Sequence, residues 1–408
     1  MTLLDTVPVV DLSGNELKNY RRKKKILTLL YNEDTLSATE IGRRIGVSIP
    51  TSTSLLRELS EERYVKSRGS GKSRGGRRPE LFGLRSDTVY VVSCELGWYT
   101  CKIGIFNPRN QLVAPIEIIE TNSDDALLVD KIYAAVQKII KENDIKESLL
   151  FGIGLAMPGL VDETNGINYS IKDKALQPIV ERFKEKFDTL IYINNDARMQ
   201  AYGEFVFGAA KGYQNALVVN WNWGLGFGMI VNGELYNGSS GFAGELSHTK
   251  SVEDGDLCIC GKRGCLETIV SVNVIIRRAQ EAVKTRMVSQ LTAKFKDRET
   301  EIGIKDIIKA ARKGDECCIE LLNSVSVTLG KALSTSIQLL NQDIIVLGGV
   351  VTQANKHILV PIQQTIDQYC LEEIAGNVKL VISENWKESG LLGVTASLYQ
   401  KLFSNLYN

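Results

Sequence analysis

The chain has 408 residues, 49 Lys and Arg against 48 Asp and Glu, 44% hydrophobic residues and eight cysteines. That length leaves room for two or three domains, each able to bury its own core. No run of 18 apolar residues and no charged-then-apolar leader occurs, so neither membrane insertion nor export is expected, and cysteines that cluster as metal ligands suit a reducing, cytoplasmic setting.

The near-zero net charge divides unevenly along the chain. Residues 1 to 86 hold 17 Lys and Arg against 10 Asp and Glu, leaving 32 against 38 for the rest. A basic head on an acidic body is the footprint of a nucleic-acid-binding module fused to something else. Within the head, Ile26, Leu27, Leu29 and Leu30 form an apolar stripe behind the run RRKKK. Ser37 is placed to cap a second helix, ATEIGRRIG, which carries Ile41 and Ile45 and ends at Gly46. The segment VSIPTSTSLLRELSEERYV supplies a turn and a third helix, with Leu55, Leu56 and Leu59 inward and Thr51, Ser52, Thr53 and Arg57 expected on the outside. Two short helices joined by a glycine-containing turn predict a helix-turn-helix whose second helix is presented to the major groove of DNA.

Next comes SRGSGKSRGGRRPELFGL (67 to 84), where glycines alternate with Arg68, Lys72, Arg74, Arg77 and Arg78 before a hydrophobic strand from Leu81 to Leu84. Taken alone, such a segment reads equally well as a solvated linker. Beside a helix-turn-helix it reads as a wing whose arginines, Arg74, Arg77 and Arg78 among them, reach phosphates or a narrow minor groove.

Beyond residue 87 the pattern turns α/β. Apolar, β-branched runs at TVYVVSCEL, CKIGIF and LVAPIEII predict three strands, followed by a helix through ALLVDKIYAAVQKIIKEN and a buried strand LLFGIGLAM. A second series runs through LIYINND, the hairpin NALVVNWN and GFGMIVNG, a long helix from about Cys317 to Leu340, and the strands DIIVLGGVV and VKLVIS. The tail GLLGVTASLYQKLF predicts a terminal helix returning towards the first unit or the head.

The most specific stretch is HTKSVEDGDLCICGKRGCL, beginning at residue 248. His248, Cys258, Cys260 and Cys265 offer one imidazole and three thiolates within eighteen positions, the donor set of a closed, structural tetrahedral Zn²⁺ site. Gly261 and Gly264 let the backbone fold tightly enough for Cys260 and Cys265 to face one ion. Cys94, Cys101, Cys317, Cys318 and Cys370 lack such spacing and read as ordinary buried or oxidisable cysteines.

Together, GFAGELSH (241 to 248), the CxCGxxGCxE cluster, INNDARMQAYGE (193 to 204) and the glycine-rich hairpin WNWGLGFGMIVNGEL (221 to 235) resemble the ROK family of bacterial sugar kinases and sugar-responsive repressors. The resemblance implies an N-terminal winged helix-turn-helix on an α/β actin-like sugar-kinase body, two lobes around a cleft. It further implies that Asn195, Asp196, Glu245, His248 and Glu267 bind a sugar, with Asp196 at the family's general-base position. The family's kinases cradle phosphates on glycine-rich loops of the form DxGGT and GTGxGGG. Here the corresponding stretches read Glu95-Leu96-Gly97-Trp98-Tyr99 and Asn222-Trp223-Gly224-Leu225-Gly226-Phe227-Gly228, so Trp98 and Trp223 stand where small residues are needed. Gly348 and Gly349 persist where the family meets nucleotide, although two glycines after an apolar strand are more often a plain turn.

The expected organisation is therefore a DNA-binding head at 1–86, a first α/β lobe at 87–195 joined by about 381–408, and a second lobe at 196–380 carrying the zinc loop, the sugar residues and an oligomerisation surface. The expected function is a transcriptional regulator of carbohydrate metabolism, by default a repressor. A homodimer or homotetramer would bind operator DNA and release it when a catalytically silent body takes up a sugar or sugar derivative. The competing readings are an active ATP-dependent sugar kinase with an appended head, and a protein-docking scaffold without sugar response.

Overall fold

The computed structural model describes residues 14–71, 78–295 and 298–403. The head opens with α1 (Gly14–Glu33), β1 (Leu36–Ser37), α2 (Ala38–Ile45) and α3 (Ile49–Glu61), followed by β2 (Val65–Ser70) and β3 (Glu80–Leu84). Ser37 caps α2 in a reciprocal capping box with Glu40, and Gly46 ends that helix in the left-handed region at φ 70°. Ser48 caps α3, whose first turn holds Pro50, where a missing N–H costs nothing. Ile26, Leu27, Leu30, Ile41, Leu55, Leu56 and Leu59 form the buried centre of the head, while Leu29 and Ile45 are half-buried. The strands make a three-stranded sheet in the order β1-β3-β2, in which β2 and β3 run antiparallel with Val65 opposite Leu84. This is a winged helix-turn-helix.

One expected groove-facing residue is inside. Ser52 is fully buried, and its hydroxyl bonds the carbonyls of Ala38 at 2.8 Å and Ile49 at 2.9 Å. Positions 52, 55, 56 and 59 share one helical face, so Ser52 falls on the side that packs against α2.

The body begins with β4 (Tyr90–Leu96), β5 (Thr100–Phe106), β6 (Glu117–Glu120), α4 (Leu128–Glu142) and β7 (Leu150–Met157). After the small ribbon of β8 (Val161–Asp162) and β9 (Ile167–Asn168) come α5 (Ile179–Lys184) and β10 (Leu190–Asn195). The sheet order is β10-β7-β4-β5-β6, with β4, β5 and β6 antiparallel. Leu128, Ile132, Ala135, Val136 and Ile139 form the buried face of α4.

The next segment runs α6 (Asp196–Phe207), β11 (Ala216–Trp221), β12 (Leu225–Val231), β13 (Glu234–Leu235), α7 (Glu267–Val270), α8 (Val272–Lys284), α9 (Gln290–Phe295) and α10 (Ile304–Arg312). It continues with α11 (Glu316–Leu340), β14 (Ile344–Gly348), α12 (Lys356–Tyr369), α13 (Glu372–Ala375), β15 (Lys379–Ile382) and α14 (Ser389–Phe403). Its sheet is ordered β13-β12-β11-β14-β15, an antiparallel hairpin joined to parallel strands. The glycines of β12 set the helix-to-sheet distance here. A Cβ on Gly226 would lie 2.7 Å from the Ala197 methyl, and one on Gly228 would lie 2.4 Å from the Ala201 methyl. Only a bare backbone admits α6 this close.

The chain divides into two compact units. The first holds the described residues up to Leu155, Ile171–Ile193 and the stretch from Val394; the second holds Ala156–Ser170 and Asn194–Gly393. The return to the first unit thus starts at Val394 rather than near 381, because β15 completes the second sheet by pairing with β14. Within the first unit, the end of α14 lies on the head. Lys24 donates to the Leu402 carbonyl, Thr28 donates to that of Phe403 at 3.3 Å, and the Tyr31 ring sits 5.3 Å from that of Tyr399. No described helix is long and apolar enough to cross a membrane.

Candidate metal and ligand site

The cysteine loop is shaped by local backbone bonds before any ion is considered. Gly261 and Gly264 adopt φ values of 84° and 75°, the Cys258 N–H donates to Lys262 O at 2.7 Å, and the Gly261 N–H donates to Cys258 O at 2.9 Å. A Cβ on Gly264 would overlap the Val252 carbonyl, so that position tolerates nothing larger. As a result one donor atom from each of His248, Cys258, Cys260 and Cys265 lies within 4.8 Å of the others. The edges Cys260 Sγ to Cys265 Sγ and Cys258 Sγ to His248 Nδ1 measure 3.6 and 3.5 Å. A tetrahedron built on Zn–S and Zn–N bonds has edges of about 3.8 and 3.6 Å, so the donor set fits that ion in both spacing and chemistry. Burial pushes the Cys258 thiol up to about 12 and raises that of Cys265. At Cys260 burial is outweighed by the Lys262 N–H and the neighbouring thiols, and the thiol is lowered.

Around this cluster stand the carboxylates. Glu245 lies on the short turn Glu245–His248, entered through Gly244 at φ 100°, and its Oε2 is 3.7 Å from His248 Nε2. His248 therefore turns Nδ1 to the thiols and Nε2 to Glu245. Glu267, the first residue of α7, places Oε2 3.7 Å from Cys258 Sγ and accepts the Leu225 N–H on Oε1 at 3.3 Å, joining the cysteine loop to β12. Burial raises the Glu245 carboxyl against the opposing pull of His248 and Arg198, and Glu267 adds to the rise.

Asn195 and Asp196 open α6. Asn195 is its N-cap: Oδ1 accepts the Arg198 N–H at 3.1 Å, and Nδ2 donates to Gly159 O at 3.0 Å. One amide hydrogen and one lone pair of Asn195 are left for a ligand. Asp196 Oδ1 accepts the Ala197 N–H at 2.9 Å, in the first turn, where the helix dipole favours an anion. Sequence reasoning missed Arg198, buried in the same turn; an arginine in a helical pattern carries no sign of its own burial.

The two tryptophans sit differently. Trp98 occupies the tight turn closed by Gly97 N–H to Thr100 O at 2.8 Å and is 42% exposed, whereas Trp223 is half-buried against the second unit's core. Beside Trp223, Asn222 Oδ1 accepts the Val350 N–H at 2.8 Å, and its Nδ2 donates to Asn220 at 2.6 Å. A Cβ on Gly349 would meet the Trp221 carbonyl at 2.2 Å, so close packing alone requires that glycine.

On the head, Thr53 and Arg57 are exposed, Thr51 is half-buried beside Ser48, and Arg57 pairs with Glu61 at 3.0 Å. Arg78 is exposed, while Lys72, Arg74 and Arg77 lie outside the described residues. Arg68 is half-buried, and its guanidinium donates to Leu84 O across the hairpin.

A family model described as the ROK family matches residues 91–401, and one described as winged helix-turn-helix DNA-binding matches residues 21–66. The chain belongs to the ROK family. The ROK body is 31% identical over 313 residues to a glucokinase of Halalkalibacterium halodurans, covering 76% of this chain and 94% of that protein. Head and ROK body together are 26% identical to a xylose repressor of Caldicellulosiruptor bescii, covering 96% of this chain and 99% of that one. A crystal structure of a ROK family transcriptional regulator, described as a homolog of the Escherichia coli MLC protein, superposes with a TM-score of 0.79 at 23% identity over 94% of this chain and 97% of that one. That last likeness concerns the fold, an actin-like ROK body behind a winged head.

Proposed function

We propose that this ROK protein is a sugar-responsive DNA-binding repressor of carbohydrate metabolism, working in the cytoplasm as a homodimer or homotetramer. The observation that carries the reading is the presence of winged head and ROK body in one chain, matched from end to end by a xylose repressor. In the proposed organisation, residues 1–86 bind operator DNA, and the rest of the chain, which returns to the first unit at Val394, forms the sensing body. Thr51, Thr53 and Arg57 present α3 to the major groove, and Arg74, Arg77 and Arg78 reach the backbone or minor groove from the wing.

Asn195, Asp196, Glu245, His248 and Glu267 grip the sugar hydroxyls, with carboxylates accepting and the amide donating. His248, Cys258, Cys260 and Cys265 would hold a structural Zn²⁺, which supplies a cross-link and no reactive chemistry. The cross-link keeps the loop bearing Glu245 and Glu267 in one shape. Sugar binding shifts the body between conformations that space the paired heads differently, and operator affinity follows by linkage. Fluorescence anisotropy of promoter DNA, titrated with and without D-xylose, D-glucose and N-acetyl-D-glucosamine, tests this reading. DNA binding that no sugar changes would overturn it.

Loss of kinase activity belongs to the same proposal. Trp98 and Trp223 fill positions where a phosphate needs bare backbone, and the Val350 N–H is already taken by Asn222. The glucokinase relative favours a second reading, an active sugar kinase with an appended head. Steady ATP-dependent phosphorylation of any of the three sugars would establish it.

A further inference from the structure

Arg198 lies in the first turn of α6 and is 3% exposed. A guanidinium stays ionised at any working pH, so one taken this far from water must find hydrogen-bond acceptors. Its Nη1 donates to the Gly241 carbonyl and its Nη2 to that of Val161 at 2.9 Å. Those carbonyls belong to two separate segments, the start of the β8–β9 ribbon and the loop that leads into Glu245. Asn195 extends the frame, because its side chain accepts the Arg198 N–H and donates to Gly159 O. The loop held this way turns through two glycines, Gly241 and Gly244, with φ values of 83° and 100°, and between them the Phe242 ring stands edge-to-face with that of Tyr169, 5.9 Å centre to centre. Glu245 follows Gly244 directly.

We propose that Arg198 is a positioning residue of the sugar site: it clamps the 241–245 loop to the N-terminal turn of α6, so that Glu245 and Asp196 address the same sugar ring. The inference rests on the reading of these carboxylates as sugar ligands. Arg198 contacts the sugar through neither nitrogen; it acts through the two carbonyls it holds. An ammonium offers its donors from one nitrogen and not from a planar fork, so lysine does not reproduce the two bonds and is not a conservative replacement here. Misplacing one of two converging carboxylates by an ångström removes most of the benefit of holding both.

The test compares the parent, Arg198→Lys and Arg198→Ala by calorimetric titration with D-xylose, D-glucose and N-acetyl-D-glucosamine, with metal content and DNA affinity measured on each sample. Both variants are expected to bind the parent's best sugar at least tenfold more weakly while keeping metal and DNA binding. Millimolar guanidinium is expected to restore most of the affinity of Arg198→Ala and none of that of Arg198→Lys, a rescue that general loosening of the fold would not show. Sugar affinity within twofold of the parent in Arg198→Lys overturns the clamp. If Arg198→Ala does not fold, the lysine variant and amide hydrogen exchange in the parent decide: exchange across 237–245 must slow when sugar binds, and unchanged exchange overturns the proposal. A parent that responds to none of the three sugars removes the sugar reading itself, and the clamp with it.

Discussion

The phenol of Tyr31 donates to Asn110 Oδ1 at 2.6 Å, tying the first helix of the head to the turn that follows β5. Arg109, next to Asn110, pairs with Asp34 at 3.3 Å, and on the other side α14 presents Tyr399 and Phe403 to the Tyr31 ring. Tyr399 is itself fixed, since its buried hydroxyl donates to the carbonyls of Val89 and Phe106. The head is seated on its unit through side chains from three places in the sequence. A winged head on a loose tether would make none of these contacts.

Lys24 in that seam supplies a pH-dependent signature. Burial lowers its ammonium from 10.5 to about 8, so between about pH 8 and 10.5 the unfolded chain binds a proton that the folded chain does not. Lys24 therefore contributes stability that grows across that window, by up to about 3 kcal/mol, on top of whatever the other titrating groups do. Denaturant unfolding at pH 7.5 and 10 is expected to show a change in the parent that is more favourable than the change in Lys24→Met. An equal change in both proteins would leave Lys24 without this role.

The cysteine loop is expected to carry one zinc per chain. Cys260→Ser should release the metal and lower the melting temperature, whereas Glu267→Gln, which alters only a neighbour of the ligands, should weaken metal affinity by about 10- to 100-fold. Metal analysis of freshly reduced protein decides the matter, and a metal-free parent would show that the four donors are merely close.

On the head, burial separates two adjacent hydroxyls. Ser52→Ala strips bonds to two carbonyls inside the domain and should destabilise the head by about 1 to 3 kcal/mol, seen as a lower melting temperature with or without DNA. Thr53→Ala and Arg57→Ala should leave melting unchanged and weaken DNA binding. Arg57→Ala is also expected to reduce the slope of log affinity against log salt by about one. Thr53→Ala melting with Ser52→Ala would reverse the two assignments.

Asp196→Asn keeps the side chain's size and removes the charge that strengthens its bond to a sugar hydroxyl. The sugar response should fall by about 1 to 3 kcal/mol in calorimetry, with operator affinity intact in the absence of sugar. The parent should form no sugar phosphate from ATP. Turnover that disappears in Asp196→Asn would make the residue a working general base and the protein a kinase.

What the sequence disclosed and what it hid divide along physical lines. Short-range chemistry was legible: Ser37, Gly46 and the leucines of α3 specify the head through caps and periodicity, and the spacing of Cys258, Cys260 and Cys265 brings the thiols together within one loop. The β-branched runs of the body marked most of its strands, but LVAPIEII pairs only from Glu117 and the short strands β8, β9 and β13 were not expected; the tail, expected to return towards the first unit or the head, ends on the head. Burial of polar groups was not legible. Ser52, Lys24 and Arg198 each occupy an ordinary place in a helical pattern, and each is buried only because another segment supplies the carbonyl that receives it. The same limit applies to β15, whose membership of the second sheet depends on its pairing with β14 rather than on its composition.

Gly226 and Gly228 bear on how relatives of this chain are read. Their absent side chains are already accounted for by the methyls of Ala197 and Ala201, which no larger residue would clear. Helix contact alone would preserve them whether or not a chain transfers phosphate. Counting glycines along this hairpin therefore cannot sort enzymes from silent descendants in genome surveys. The informative positions are those where a glycine faces nothing in its own fold, since only a bound molecule could then penalise its loss.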